Sequence, residues 1–382
     1  MSETIQMYDP KREYKTHKEA IDNAIQKVLN HGLFINGPEV KSLERKLAEF
    51  TGAKHAITVS NGTDALKVAL LAIDVKPGDE VITVSHTWIS TGEVIPLIGA
   101  KPVFCDICPK TFNMDYTKLE ALITKKTAAI MPVSLYGQTA DMDKINEIAN
   151  RYGIPVIEDG AQSFGATYKG KRTGNLSTIG TTSFFPSKPL GGYGDGGAIF
   201  TNDDELADKI RQIKNHGCIK RFTHKYIGMN ARMDTLQAAI VGAKFEWYNE
   251  TLEKRQKCAM YYTYKLKNIK SITLPTVMLE RTSVWAQYSI LAKNNKDRDD
   301  IVKYLKDNGV NAAIFYPVPL HYQECFAEYL KDNKNLDLSV TEDICSRVFN
   351  LPCYGELKLC EQDKIIKIIK DGIELINNLK LI

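Results

Sequence analysis

With 382 residues, 43% of them apolar and 25% charged, the chain has the make-up of a soluble globular protein holding one large and one smaller domain. Its 50 Lys and Arg against 46 Asp and Glu leave a net charge of +4, too slight a bias to point to nucleic acid or an acidic membrane. No run approaches the roughly 18 apolar residues of a membrane span, and the polar start MSETIQMYDPKREYK lacks the apolar stretch of an export signal, which suggests a cytoplasmic protein.

The chain opens on helices. Ile21, Ile25 and Val28 recur at helical spacing over residues 16 to 30. A second helix follows Gly37-Pro38, with Pro38 suited to its first turn and Val40, Leu43 and Leu47 inward. From about residue 53, apolar β-branched runs (HAITVS, EVITVS, KPVFC, AAIMPVS, IPVIED) alternate with amphipathic stretches such as Asp64 to Leu71 and Met142 to Arg151. That alternation predicts an α/β fold whose mainly parallel sheet is covered on both faces. Strands end in Ser60-Asn61-Gly62, Ser85-His86-Thr87 and Glu158-Asp159, and ligands of such sheets sit at the carboxyl ends of strands.

A long helical region from Thr235 through Leu266 then bridges to a smaller C-terminal α/β unit. This sets a large domain at 1–254, with N-terminal helices able to pack on its neighbour, and a small one at 255–382. Short strands are expected in SVWAQYSILA and NAAIFYP, and the chain closes on the amphipathic helix DKIIKIIKDGIELINNL. Its Lys-spaced Ile pairs could lie on a membrane surface, but a closing core helix is the simpler reading. The eight cysteines, at 105, 108, 218, 258, 325, 345, 353 and 360, are scattered and read as free thiols. Cys105 and Cys108 form a CxxC, yet no second ligand pair follows at zinc spacing, so no metal is expected.

The densest cluster of chemistry is SFFPSKPLGGYGDGGAIF, residues 183 to 200. Lys188 stands between Pro186 and Pro189, where a dehydrated, pre-placed amine favours Schiff-base formation; alone it could equally be a surface lysine beside a flexible loop. Gly192 to Gly197 also satisfies GxGxxG, but a strand follows instead of a helix and position 217 is Gly, which argues against a dinucleotide enzyme. Gly62, Thr63 and Asp64 open a helix after a strand and could seat a phosphate on their amides, or simply form a capped helix start. Asp159 at a strand end could pair with a protonated pyridine nitrogen, and Trp88 in SHTWIST could stack on an aromatic cofactor or serve as core. A phosphate turn, an aromatic platform, a strand-end acid and a loop lysine are together the parts of a pyridoxal phosphate site.

The set SNGTDAL, HTWIST, EDGAQSFGA, SFFPSKPLGGYGDGGA and GMNARMDTLQAA resembles the DegT/DnrJ/EryC1/StrS sugar aminotransferases, from about residue 12 to the C-terminal helix. The resemblance implies the type I fold of pyridoxal phosphate enzymes, a large domain plus a smaller C-terminal one, and a homodimer with shared active sites. It implies that Lys188 binds pyridoxal 5'-phosphate covalently and that Asp159 pairs with the ring nitrogen. Trp88 would stack on the ring, Gln162 would contact its phenolic oxygen, and Gly62, Thr63, the backbone around Asp64, and Ser183 would form the phosphate cup. Asn230 matches an Asn that completes the neighbouring subunit's cup, and Arg232 a position near the sugar or donor carboxylate. L-Glutamate would give its amino group, leaving 2-oxoglutarate and pyridoxamine phosphate, and a nucleotide-linked keto sugar would receive it.

Two rivals share the scaffold. A dehydratase would have His in place of Lys188, and a non-catalytic sensor would have lost the lysine or the acid; both are present. For the sugar, the chain resembles the subgroup that aminates C3 of a UDP-linked 2-acetamido-3-oxo-hexuronate. That subgroup has His before the YP of the small domain, whereas this chain has Phe315. An apolar ring suits a C6 methyl better than a carboxylate, so this residue leans toward a 4-keto-6-deoxyhexose. Tyr316 and His321 are further sugar-site candidates.

Overall fold

The computed structural model describes residues 4–331 and 337–379. Helix α1 (Pro10–Thr16) starts behind Asp9, whose carboxylate accepts the Lys11 amide. Helices α2 (Lys18–His31) and α3 (Pro38–Thr51) bury Ile21 and Val28, and Val40, Leu43 and Leu47. Each ends on a glycine in the left-handed region, Gly32 at φ 70° and Gly52 at φ 74°.

The central sheet comprises β1 (His55–Val59), β2 (Glu80–Val84), β3 (Lys101–Cys105), β4 (Thr127–Met131), β5 (Ile157–Asp159), β6 (Ile179–Ser183) and β7 (Gly197–Thr201). Ladders give the orders β3-β2-β4 and β5-β6-β7-β1, and parallel bridges Ile130–Val156 and Val133–Asp159 join the two into one surface. Only β7 runs antiparallel to its neighbours. Period-two alternation divides each strand between faces. Ile57, Val81, Ile179 and Ile199 pack under α4 (Gly62–Ala72), α5 (Ile89–Leu97) and α7 (Asp204–Ile213). On the other face, Ile82, Val103 and Ile130 meet α6 (Met142–Tyr152), while Ala56, Ala198 and Phe200 meet α3 and α8 (Thr235–Lys244). Full burial of each such large apolar side chain contributes about 1.5–3 kcal/mol.

The smaller unit is an antiparallel sheet, β8 (Ile272–Thr273), β9 (Tyr288–Ala292) and β10 (Val348–Leu351), with α10 (Asn295–Asp307), α11 (Ser339–Arg347) and α12 (Leu359–Leu379) against it. Ile365, Ile366, Ile369 and Ile373 of α12 are buried with Ile290 and Phe349, so this is a core helix. Among the described residues no helix is long and apolar enough to cross a membrane. The N-terminal segment crosses to this unit: Ile5 bridges in parallel with Val310, and Arg12 donates to both carboxylate oxygens of Glu361 at 2.7 Å.

Three expectations need correction. The helix over 235–266 is broken at Phe245–Trp247, where Phe245 turns in against Phe50 and Tyr248, before α9 (Tyr248–Leu266) resumes. NAAIFYP is not a strand: the Asn311 amide bonds the Ile5 carbonyl at 2.9 Å and Ala313 bridges to Asn350, after which Phe315 leaves the sheet because its amide is taken by Asn350 Oδ1 at 3.0 Å. In SVWAQYSILA the strand covers only its second half, since Trp285 takes φ 51° and turns the chain before it. Cys105 ends β3 inside the core, and burial raises its thiol pKa; Cys108 lies in a turn closed by its amide on the Asn113 carbonyl at 2.8 Å.

Candidate active site

The carboxyl ends of β1, β2, β5 and β6 open on one cavity of about 560 Å³ that the smaller unit closes with Gln287, Phe315 and Tyr316. At the end of β1, Asn61 caps α4: its Oδ1 accepts the Asp64 amide at 2.7 Å, and its carbonyl accepts the Ala65 amide at 3.1 Å. The Gly62 and Thr63 amides remain as first-turn donors, while the Asp64 amide is already engaged. The Asp64 carboxylate is turned back onto Ser60 and Asn61, which keeps a negative charge from confronting an anion. Gly62 makes this approach possible, because a Cβ there would fall 2.8 Å from Ser183 Cβ at the end of β6. Thr63 Oγ1 sits 2.7 Å from Ser90 Oγ, adding hydroxyls to the same end.

After β2, Trp88 is 56% exposed and faces the cavity, a bare aromatic surface where a core Trp would be enclosed. One helical turn later Thr91 donates to Asp159 Oδ2 at 2.7 Å, and the Ala161 amide donates to Oδ1 at 3.1 Å. Asp159 is thus 6% exposed, oriented by two donors and still able to accept a ring N–H. Its neighbour Glu158 points away, accepting from Ser134 at 2.8 Å and the Gly174 amide at 2.9 Å, and burial lifts its pKa to about 7.

Lys188 follows β6 in a tight turn, its amide bonded to the Phe185 carbonyl at 2.8 Å. Burial lowers its pKa from the usual lysine range, and the charge of Asp159 partly opposes this. A lysine depressed in this way offers more neutral amine to a carbonyl carbon. The glycines behind it serve packing: a Cβ on Gly191 would meet the Pro186 carbonyl oxygen at 2.3 Å, and one on Gly194 the Gln237 side chain at 2.7 Å.

Gly62, Thr63, Asp64, Trp88, Asp159, Gln162, Ser183, Lys188, Phe315 and Tyr316 therefore line one cavity. Asn230, Arg232 and His321 do not. Asn230 is exposed and bridges to Asn215, and Arg232 donates to Asn215 Oδ1 at 2.7 Å while its Nε has no partner among the described residues. The His321 side chain is only 6% exposed and held between Ser85 Oγ at 2.8 Å and Glu342 Oε1 at 3.2 Å. Sequence reasoning missed Ser90 and Thr91. Spacing could have found Thr91, three residues after Trp88 and so on the same face of α5.

Among the described residues, Lys188 is the only basic side chain lining this cavity. The lone desolvated amine, the anchored carboxylate, the bare indole and the close Gly62–Ser183 approach fit pyridoxal phosphate.

The model of the DegT/DnrJ/EryC1/StrS aminotransferase family matches residues 15–370. The chain is 51% identical over 353 residues to UDP-2-acetamido-2-deoxy-3-oxo-D-glucuronate aminotransferase of Pseudomonas aeruginosa, covering 92% of this chain and 96% of that protein. It is 36% identical over 366 residues to a UDP-N-acetyl-3-dehydro-alpha-D-glucosamine 3-aminotransferase of Acidithiobacillus ferrooxidans, covering 96% and 97%. Among solved structures, S. venezuelae DesV in complex with a ketimine intermediate superposes with a TM-score of 0.93 at 32% identity, covering 97% of this chain and 98% of that one.

Proposed function

The chain belongs to the DegT/DnrJ/EryC1/StrS aminotransferase family and is a pyridoxal-phosphate-dependent enzyme of the type I fold acting on nucleotide-linked keto sugars, and from that premise we propose that it aminates C3 of a UDP-linked 2-acetamido-3-oxo-hexuronate with L-glutamate as donor. The observation that carries the substrate is the 51% identity, over nearly the whole of both chains, to the P. aeruginosa protein named for that sugar. Phe315 alone argued for a 6-deoxy sugar. One wall residue weighs less than identity spread over 353 positions.

When bound, pyridoxal phosphate supplies an electron sink for the carbon that loses its proton. Lys188 would hold the cofactor and, as a free amine, would carry that proton as general acid and base at its Nζ. Asp159, fixed by Thr91 and the Ala161 amide, keeps a proton on the ring nitrogen. Trp88 would stack on the ring, Gln162 would meet its phenolic oxygen, and the Gly62 and Thr63 amides with Ser183 would hold the phosphate. Phe315 and Tyr316 face the sugar, while His321 has a structural place. Since Lys188 is the only cation among the described residues that line the cavity, the phosphates and the sugar carboxylate call for further positive charge. We assign it to a homodimer in which Arg232 of each subunit brings that charge to the other's cavity and Asn230 brings a neutral amide donor.

The test is incubation of the enzyme with glutamate and a panel of UDP- and dTDP-linked keto sugars, read by product mass. Amination of the UDP-linked 3-oxo uronate is expected, with 4-keto-6-deoxy sugars poor. The opposite order would reverse the assignment.

A further inference from the structure

Behind the wall that faces the sugar lies a buried chain of groups whose hydrogens can be placed one by one. The Tyr136 hydroxyl is in close contact with the Phe315 carbonyl, and a carbonyl only accepts, so the phenol donates there. Tyr136 Oη must then accept from His86 Nε2, 2.8 Å away. That puts the ring hydrogen of His86 on Nε2 and leaves Nδ1 as an acceptor for the Cys345 thiol at 3.0 Å. His86 is fully enclosed and Cys345 nearly so, and they come from opposite units, the end of β2 and α11.

A second arm leaves the same residue. The Tyr136 amide donates to Gln162 Oε1 at 2.9 Å, which fixes the amide orientation and turns Nε2 toward Tyr316 Oη at 3.0 Å. Tyr316 therefore accepts from Gln162 and keeps its own hydrogen. Among the described residues no acceptor takes that hydrogen, and Tyr316 lines the cavity. Both arms end on adjacent residues: one holds the Phe315 carbonyl, the other the Tyr316 hydroxyl.

We propose that Tyr136, held by His86, is a positioning residue that presents the Tyr316 hydroxyl to the substrate sugar as a hydrogen-bond donor. The inference rests on the sugar-aminotransferase reading, and deepens it by naming what sets the sugar-facing wall. Neither His86 nor Tyr136 lines the cavity, so neither touches the reacting atoms.

The experiment separates the two half-reactions in the holoenzyme. Conversion of the cofactor by glutamate is followed by absorbance, and the sugar side is run in reverse with UDP-2-acetamido-3-amino-2,3-dideoxy-glucuronate and 2-oxoglutarate. Tyr136→Phe and His86→Leu are expected to raise KM for the sugar about tenfold, the effect of one lost hydrogen bond whose partner stays buried. The rate of the glutamate half-reaction should stay within about threefold, and His86→Gln, which restores an N–H near Nε2, should recover most of the sugar KM. If Tyr136→Phe does not fold, Tyr316→Phe takes its place, with the same KM rise, and His86→Leu added to it should cost nothing more. Equal loss in both half-reactions, an unchanged sugar KM, or additive effects in that pair would each overturn the proposal. A wild-type enzyme that ignores this sugar counts against the substrate assignment instead; the variant-to-wild-type ratio is then read on the panel sugar it does accept.

Discussion

Replacing Gly62 with Ala attacks the phosphate end without touching a polar group. The new Cβ would stand 2.8 Å from Ser183 Cβ, 3.2 Å from its Oγ and 3.5 Å from its Cα. Carbon pairs settle near 3.5–4.0 Å, so the start of α4 must back off the end of β6 by roughly 0.7 Å or more. Overpacking of this kind costs about 1–3 kcal/mol. The empty protein can relax by that retreat, whereas a phosphate held as proposed would need the Gly62 and Thr63 amides where they are. The cost therefore falls on cofactor affinity, weakening it by about 5- to 150-fold. Titrating cofactor into stripped enzyme and following absorbance measures this. Ser183→Gly removes the atom in the way, so the double variant should bind more tightly than Gly62→Ala alone, a coupling between neighbours. A Gly62→Ala protein with wild-type cofactor affinity, or a double variant weaker than both singles, would refute the steric argument.

Other perturbations follow from the same geometry. Lys188→Ala should lower turnover by at least about a thousandfold while circular dichroism and Tm stay near wild type, because the side chain ends in a cavity and not in the core. Trp88→Ala should weaken cofactor binding by about 2- to 12-fold, matching about 0.5–1.5 kcal/mol for an aromatic contact, and Trp88→Phe should recover most of it. Glu158→Gln tests a buried acid. Its folded pKa of about 7 lies above the unfolded value of 4.5, so the native state binds the extra proton between them and wild-type stability falls as pH rises through that window. Gln can accept the Gly174 amide on Oε1 and donate its Nε2 hydrogen to Ser134 Oγ, so it keeps both contacts without titrating. Its Tm advantage over wild type should therefore grow between about pH 5 and about pH 8, toward an effect of about 3 kcal/mol. A pH-independent gap would contradict the burial argument.

Much of this was legible because it follows local rules. Runs such as HAITVS and EVITVS read as buried strands, and Pro38 marks a helix start by its backbone chemistry. Lys188, Asp159, Trp88 and Gly62 stood out because each is an unusual residue at a strand end. What stayed hidden depends on contacts between distant positions. Nothing in NAAIFYP says that Asn350 and Tyr136 will draw Phe315 off the sheet. His321 reads as a sugar ligand until Ser85 and Glu342 are seen to hold it. Thr91 looks like any helix threonine until Asp159, 68 positions later, arrives at its hydroxyl.

The bridge between Ile5 and Val310, with Arg12 on Glu361, has a consequence for how the molecule is made. A ribosome delivers Arg12 349 positions before Glu361. Ile5 belongs among the apolar side chains of the smaller unit, 3% exposed beside Ile290 and Val310, so it waits for its berth until those distant residues are made. That unit is not portable: grafted elsewhere as residues 255–379, it would leave open the place that Ile5 and Tyr8 fill.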